Sequence, residues 1–574
     1  METKILPKTN WIYDAPNTSL VKRLSQSLNL PEFISAILIQ RGFTDPQTAH
    51  DFLNPSLDNL HDPFLLNDME RAVNRICQAL RNQEKILICG DYDVDGITSV
   101  ALLKICLPVL GADVEVYLPN RLSDGYGFHN QTIEHASSLN AKLIITVDCG
   151  ISSREAVDSA NALGIDVIIT DHHEPNGPIP DAYAVINPKR EDSTYPDSNL
   201  AGIGVAFKMI QALIAKGILN FPLPPLLELV ALGTVADVAQ LSGENRILVH
   251  FGLEALAHTS HPGLKALMKV AHVIHGRRLD PMVIGFQLGP RINAVGRLGT
   301  PEEALNLLMS KSHSEAELLA KQMNSLNHQR QMIEEDILKS AEQQIQLGDL
   351  SKKPFIVVSG ENWHEGVIGI VASKISERYY KPACVISIKE GIGKGSGRSI
   401  PSFSLFDCLS QIKDLLIEFG GHQIAAGFRI KPENIPEFAN LCTEITENVL
   451  TQDDFIPKTS VDYEVTLSEL SFRAVKSLER LSPFGLGNPK PRFLIRNVHL
   501  RYSPRQVGSD GSHVKLVLSN GSKSLHAIAF NFGDAVQQIQ SAPRLDVIAT
   551  PEINEWNGRI MVQLNIHDIY PYSD

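Results

Sequence analysis

The sequence predicts an α/β protein: a parallel-sheet core joined by a long helix to a smaller α/β domain, followed by a C-terminal β-barrel. Three observations carry this. Short Ile- and Val-rich runs, KILICG (85–90), AKLIITVDCG (141–150) and DVIITDHH (166–173), alternate with segments of helical pattern, as in a parallel sheet. Leu319, Met323, Leu326, Ile333 and Ile337 lie on one face of a single helix. After about residue 460, short alternating runs such as HVKLVL, LHAIAF, LDVIAT and RIMVQLNI are divided by Gly, Asn and Pro turns, the pattern of a small barrel of the OB type.

Taken in order, residues 1–80 read as a helical segment packing on the core, from LPEFISAILIQRGF and DMERAVNRICQAL. Residues 81–310 form the core and residues 311–350 the connecting helix. Residues 351–455 form the second α/β domain, from PFIVVSG through KPACVISI to GGHQIAAGF, and residues 456–574 the barrel. No internal repeat or low-complexity tract interrupts them.

Composition narrows the class. Hydrophobic residues make up 43% and charged residues 20% of 574, enough for several cores. No run of about 18 apolar residues occurs, so no membrane span is expected. The N-terminal METKILPKTNWIYDAP lacks the form of a secretory signal. Seven scattered cysteines, without a CxxC pair, fit a reducing cytoplasm and argue against a disulfide frame or zinc ribbon. The net charge of −13 runs against nucleic-acid binding on average, but binding uses a local groove, and an acidic metal site would hold part of the excess.

The chemistry concentrates in four places. Asp91, Asp93 and Asp95 stand in GDYDVDG after an apolar strand. Asp148 ends a second strand, Asp171-His172-His173 ends a third, and Asp237 follows the apolar run LLELVALGTVA. Singly, each has an ordinary reading as a helix cap, a turn residue or a satisfied core group. A calcium loop is excluded for DYDVDG because no Glu stands at loop position twelve. Jointly they sit where a parallel sheet gathers ligands, at the carboxyl ends of its strands. Clustered carboxylates repel unless cations neutralise them. Mixed carboxylate and imidazole donors suit Mn²⁺, and Mg²⁺ less well. Two such ions, roughly 3.5–4 Å apart, activate a water and stabilise the leaving oxygen of a phosphodiester. Asp148 is the candidate bridge between them.

These motifs, in this order, resemble those of the DHH phosphoesterases. The likeness extends to Gly289-Pro290-Arg291-Ile292-Asn293-Ala294-Val295-Gly296-Arg297 at the end of the core. It covers Trp363 to Gly369, Gly395 to Ser399 and Gly420 to Gly427 of an accessory DHHA1 domain, and Leu481 to Pro489 at the start of the OB region. The resemblance is to the single-strand-specific exonucleases of that family. It implies a DHH core, a DHHA1 domain and an OB-fold, with metal ligands at Asp93, Asp95, Asp148, His172, His173 and Asp237. Asp171 would orient an imidazole, and a direct role for Asp91 stays open. Some relatives carry a His four residues before the first Asp of a D-x-D motif; Cys89 stands there.

The resemblance further implies that Arg398, His422 and Ser396 contact substrate phosphates and that Arg291, Asn293 and Arg297 line the path between domains. His364 is either a substrate ligand or a helix cap. Candidate base-stacking aromatics are Phe484, Phe493, Tyr502, Phe530, Phe532 and Trp556. The implied reaction is Mn²⁺- or Mg²⁺-dependent, 5′-to-3′ release of mononucleotides from single-stranded DNA in recombination and repair. The implied protein is a cytoplasmic monomer, with a single-strand-binding protein and a RecQ-type helicase as partners. Two alternatives stay open: a phosphodiesterase of short oligonucleotides or cyclic dinucleotides, and a DNA-binding scaffold with an inactive core. Residue types alone do not separate DNA from RNA or fix the working metal.

Overall fold

Five runs of apolar, β-branched residues build the core sheet: β1 (Lys85–Gly90), β2 (Asp113–Tyr117), β3 (Leu143–Val147), β4 (Asp166–Thr170) and β5 (Ala184–Ile186). All are parallel, in the order β2-β1-β3-β4-β5. Alternation along β1 explains why so few polar residues appear in it. Ile86 and Ile88 enter one apolar cluster with the helices Met69–Asn82, Val94–Cys106 and Gly202–Ala215. Leu87 and Cys89 enter another with Asn130–Ser138 and Arg154–Ala162. The chain leaves β1 toward β2 on one side and returns to β3 on the other. The crevice outside such a switch point is where ligands collect.

The computed structural model describes residues 9–120, 127–556 and 559–572. They gather into two units, one of residues 57–451 with 485–488, the other of residues up to 56 with 452–484 and 489–574. Within the first, the 35-residue helix His313–Leu347 buries Ala316, Ala320 and Met323 in the core cluster. Further along it buries Ile337, Ala341 and Ile345 against the second sheet.

That sheet comprises β6 (Ile356–Glu361), β7 (Ala383–Lys389), β8 (Ile392–Arg398), β9 (Leu416–Gly421) and β10 (Ala425–Ile430), ordered β9-β10-β8-β7-β6. Only β6–β7 is parallel. The run GKGSGR is β8. Gly393, Gly395 and Gly397 face inward, where a Cβ on Gly395 would come within 2.1 Å of the Phe428 ring. Lys394, Ser396 and Arg398 therefore share the opposite face.

In the other unit, β11 (Tyr463–Glu464), β12 (Phe493–Leu500), β13 (Arg505–Val507), β14 (His513–Ser519), β15 (Ser524–Ala529), β16 (Leu545–Trp556) and β17 (Arg559–Pro571) form one sheet. β12 pairs with both β16 and β14, which closes a five-stranded barrel β12-β14-β15-β17-β16 with one parallel pair, β15–β17. This is the OB topology.

One expectation is corrected. The sequence reading packs residues 1–80 together on the core sheet. Instead Leu24, Phe33, Ile34, Ile37 and Leu38 share the barrel's cluster with Phe493, Val547 and Leu564, and only residues from 57 onward join the core. The Phe33 and Phe493 rings meet edge to face at 5.5 Å. An amphipathic period says that one helix face is buried but does not say against what.

Candidate metal centre

Each acidic residue reaches the crevice by a different local device. Asp91 follows β1. Asp93 caps the helix Val94–Cys106, its Oδ1 accepting from the Gly96 N–H at 3.1 Å. Asp95, in the first turn of that helix, is buried and caps a different one. Its Oδ2 and Oδ1 accept the N–H groups of Gly202 (2.7 Å) and Ile203 (2.8 Å), which open the helix Gly202–Ala215. Asp148 leaves β3 in the left-handed region, φ 59°. Asp237 closes the helix Leu223–Ala236.

Ligand atoms fall in three overlapping sets, each within 4.8 Å: Asp148, His172 and His173; Asp95, His172 and Asp237; Asp91, Asp93 and Asp148. His172 and Asp148 each belong to two. His172 Nε2 lies 3.1 Å from Asp148 Oδ1 and 3.9 Å from both Asp95 Oδ2 and Asp237 Oδ2. Asp171 stands apart from these sets, because its carboxylate is fully engaged. It accepts from the N–H groups of Ile151, His172 and His173 and meets His173 Nδ1 at 2.7 Å. With Nδ1 on Asp171, Nε2 is the ring atom that His173 would offer a metal.

Electrostatics agree with the geometry. Burial, then the charges of neighbouring aspartates, holds Asp95 and Asp148 well above the usual carboxylate range. Burial and Asp93 push Asp237 up to about 7. Burial and His173 pull His172 down to about 3, so its ring is neutral. That ring hydrogen-bonds the Leu200 carbonyl, while Nε2 and the facing Asp148 Oδ1 are buried without hydrogen-bond partners. A lone pair and a carboxylate oxygen buried at 3.1 Å from each other need a positive charge between them, either the proton that the raised Asp148 would hold or a cation. The donor set fits two divalent ions of the Mn²⁺ or Mg²⁺ kind.

Two glycines that the sequence reading passed over make this packing possible. A Cβ on Gly202 would lie 2.6 Å from Asp148 Oδ1, and one on Gly233 would lie 2.5 Å from Thr98 Oγ1 and 2.9 Å from Asp95 Oδ1. Their signal was present as bare glycines in AGIG and ALGTVAD. Cys89 is buried in the opposite cluster, 3.9 Å from Thr132 Oγ1, and lies outside every ligand set among the described residues.

The expected substrate residues divide. His422 joins Asp171 and His173 along a cleft of about 1130 Å³. Ser396 and Arg398 meet on β8 (Nη1 to Oγ 3.3 Å), beside Gly369 in the first turn of the helix Ile368–Tyr379. His364 Nδ1 accepts from the Gly366 N–H at 3.1 Å, which makes it a turn cap. Arg297 Nη1 donates to the Gly366 carbonyl at 2.6 Å and so ties the core to the second sheet. Arg291 donates to Asn324 Oδ1 on the long helix and to the carbonyls of Gln287 and Val270. Asn293 is half-buried on the helix Gly289–Leu298.

In the barrel, Phe493 is fully buried, and Phe484 and Phe532 pack on the cluster. Phe530 is 46% exposed along a cleft of about 490 Å³ with Lys515, His526, Asn554 and Gln563. Tyr502 is exposed beneath the Arg501 guanidinium. The Trp556 side chain lies outside the described residues.

Fold and site together define a DHH-type phosphoesterase. Residues 85–234 match the family model of the DHH family N-terminal domain, 352–448 the DHHA1 domain and 461–568 the RecJ OB domain. The chain is 41% identical to the single-stranded-DNA-specific exonuclease RecJ of Bacillus subtilis, over 98% of this chain and 71% of that one. With the Escherichia coli enzyme of the same name it shares 34%, over 94% and 96%. The crystal structure of RecJ from Thermus thermophilus in complex with Mn²⁺ superposes with a TM-score of 0.84 at 29% identity, covering 98% of this chain and 80% of that one. The chain belongs to the RecJ family.

Proposed function

We propose that the protein is a single-stranded-DNA-specific exonuclease that hydrolyses phosphodiester bonds from the 5′ end and releases mononucleotides. One observation carries the chemistry: the buried pair His172 Nε2 and Asp148 Oδ1, facing each other without hydrogen-bond partners at the carboxyl ends of the strands. The named relatives and the RecJ OB match support single-stranded DNA as substrate.

Asp93, Asp95, Asp148, His172, His173 and Asp237 would hold two Mn²⁺ or Mg²⁺ ions. When bound, the ions supply an activated water and charge stabilisation at the leaving oxygen. Asp171 would fix the His173 ring through Nδ1 and orient its Nε2. His172 stays neutral at working pH and presents a lone pair. Ser396, Arg398 and His422 would hold the terminal phosphates. Phe530 and Lys515 would grip the trailing strand by stacking and charge. Among the described residues no helix is long and apolar enough to cross a membrane. A cytoplasmic monomer acting in recombination and repair, beside a RecQ-type helicase and a single-strand-binding protein, completes the reading.

The test is Mn²⁺-dependent digestion of 5′-labelled and 3′-labelled single strands, with duplex as control. Early release of 5′-labelled mononucleotide, lost in His172→Ala, is expected. Intact long strands with rapid cleavage of dinucleotides would move the assignment to a small-substrate phosphodiesterase.

A further inference from the structure

Thirteen non-glycine residues among those described have a positive φ, and eight are Asn or Asp, which tolerate it. Val238, at φ 60°, is the one β-branched residue in that set. It directly follows Asp237. The helix Leu223–Ala236 ends there in a two-bond closure, from the Val238 N–H to the Val235 carbonyl and from the Ala239 N–H to the Thr234 carbonyl, each 3.2 Å. Val238 holds the left-handed position of that closure, which glycine or asparagine ordinarily fills. A branched Cβ makes this the least suitable residue type for it. Burial does not offset the strain, because the side chain is 63% exposed. An exposed apolar side chain in a strained backbone, one Cα step from a candidate ligand, has no explanation within the fold. Strain of this kind gathers where a ligand is handled.

We infer that Val238 is a specificity-determining residue whose methyl groups press on the apolar face of the nucleotide held at the metal centre. The inference rests on the nuclease reading above. Contact with the nucleotide would bury what is now exposed. Such a contact forms equally in the bound ground state and the transition state, so it acts on KM and leaves kcat alone.

The experiment compares the full chain with Val238→Asn and Val238→Gly, both suited to a positive φ, in Mn²⁺ with a 5′-phosphorylated deoxyoligonucleotide. KM is expected to rise roughly tenfold with kcat within a factor of about two. The Mn²⁺ concentration for half activity should be unchanged, and the melting temperature equal to or above that of the parent. A higher melting temperature with an unaltered KM would overturn the inference, because valine would then be merely tolerated. A half-activity Mn²⁺ concentration that moves in step with KM would also overturn it, showing that Val238 acts through Asp237. If the parent chain itself fails to digest the strand, the nuclease reading falls and this inference falls with it.

Discussion

His172 Nε2 and Asp148 Oδ1 face each other at 3.1 Å in the buried crevice outside β1 and β3, and neither atom is hydrogen-bonded. The contact is between a neutral imidazole lone pair and a carboxylate surrounded by other carboxylates. Both belong to two of the three ligand sets, so a change at either touches more than one set.

Divalent ions should therefore stabilise the unit that carries the site. At 100 times its dissociation constant, one ion adds about 2.7 kcal/mol. Calorimetry should show the transition of that unit rise with Mn²⁺ and fall with chelator. His172→Ala should lose the response. Asp171→Ala should weaken Mn²⁺ binding by roughly 10- to 100-fold, because the His173 ring loses its orienting partner. Unchanged Mn²⁺ titrations in both variants would contradict the assigned ligands.

Gly202→Ala should damage the site without replacing a ligand. The new Cβ would overlap the Asp148 carboxylate, while the same residue's N–H still binds Asp95. Overpacking of this kind costs roughly 1–3 kcal/mol. Because Asp148 has a positive φ, Asp148→Gly removes the clashing atoms in a backbone that glycine accepts. Gly202→Ala should cost little in that background, and a denaturation double-mutant cycle measures the difference.

Lys208 and Glu244 form a buried ion pair at 2.7 Å, with the His61 carbonyl and the Tyr195 hydroxyl completing the network. Lys208→Ala would leave the Glu244 carboxylate without its cation and should cost about 3–5 kcal/mol in urea unfolding. Replacing both with apolar residues of similar size should recover most of that loss.

Burial pushes Glu228 up to about 7, although the Thr259 hydroxyl and Lys265 oppose it. Its folded pKa thus lies above the unfolded value of 4.5. The folded state holds the proton more tightly, so the contribution is full below about pH 4.5 and is lost as pH rises toward 7. The stability of Glu228→Gln relative to the parent should therefore grow across that window, by up to about 3 kcal/mol. Parallel pH profiles for the two proteins would refute this.

Truncation should behave unevenly. A fragment of residues 1–455 would keep Leu24, Phe33, Ile34, Ile37 and Leu38 but lose the barrel that covers them. Each side chain stripped of cover costs roughly 1.5–3 kcal/mol, and aggregation is the expected result in light scattering. A fragment of residues 57–451 carries none of these five and should melt cooperatively.

The sequence by itself determined three of the five core strands and the acids that follow them. Parallel strands buried on both faces are written as unbroken Ile and Val runs. The acids that end them are legible because strand ends in such sheets converge whatever the loops do. In GKGSGR the strand period sets Gly395 and Gly397 on one face and Ser396 and Arg398 on the other, once the run is known to be a strand. What lay beyond it was partnership. A helical period names a buried face but not its cover, so residues up to 56 went to the barrel rather than to the core. Whether a guanidinium waits for a phosphate or already binds protein acceptors, as Arg291 does, depends on residues distant in sequence. The same holds for Gly202 and Gly233, whose missing side chains matter only because Asp148, Asp95 and Thr98 come to lie against them. Local pattern fixes backbone form and which face is apolar. Close approach between segments is a property of the packed chain alone.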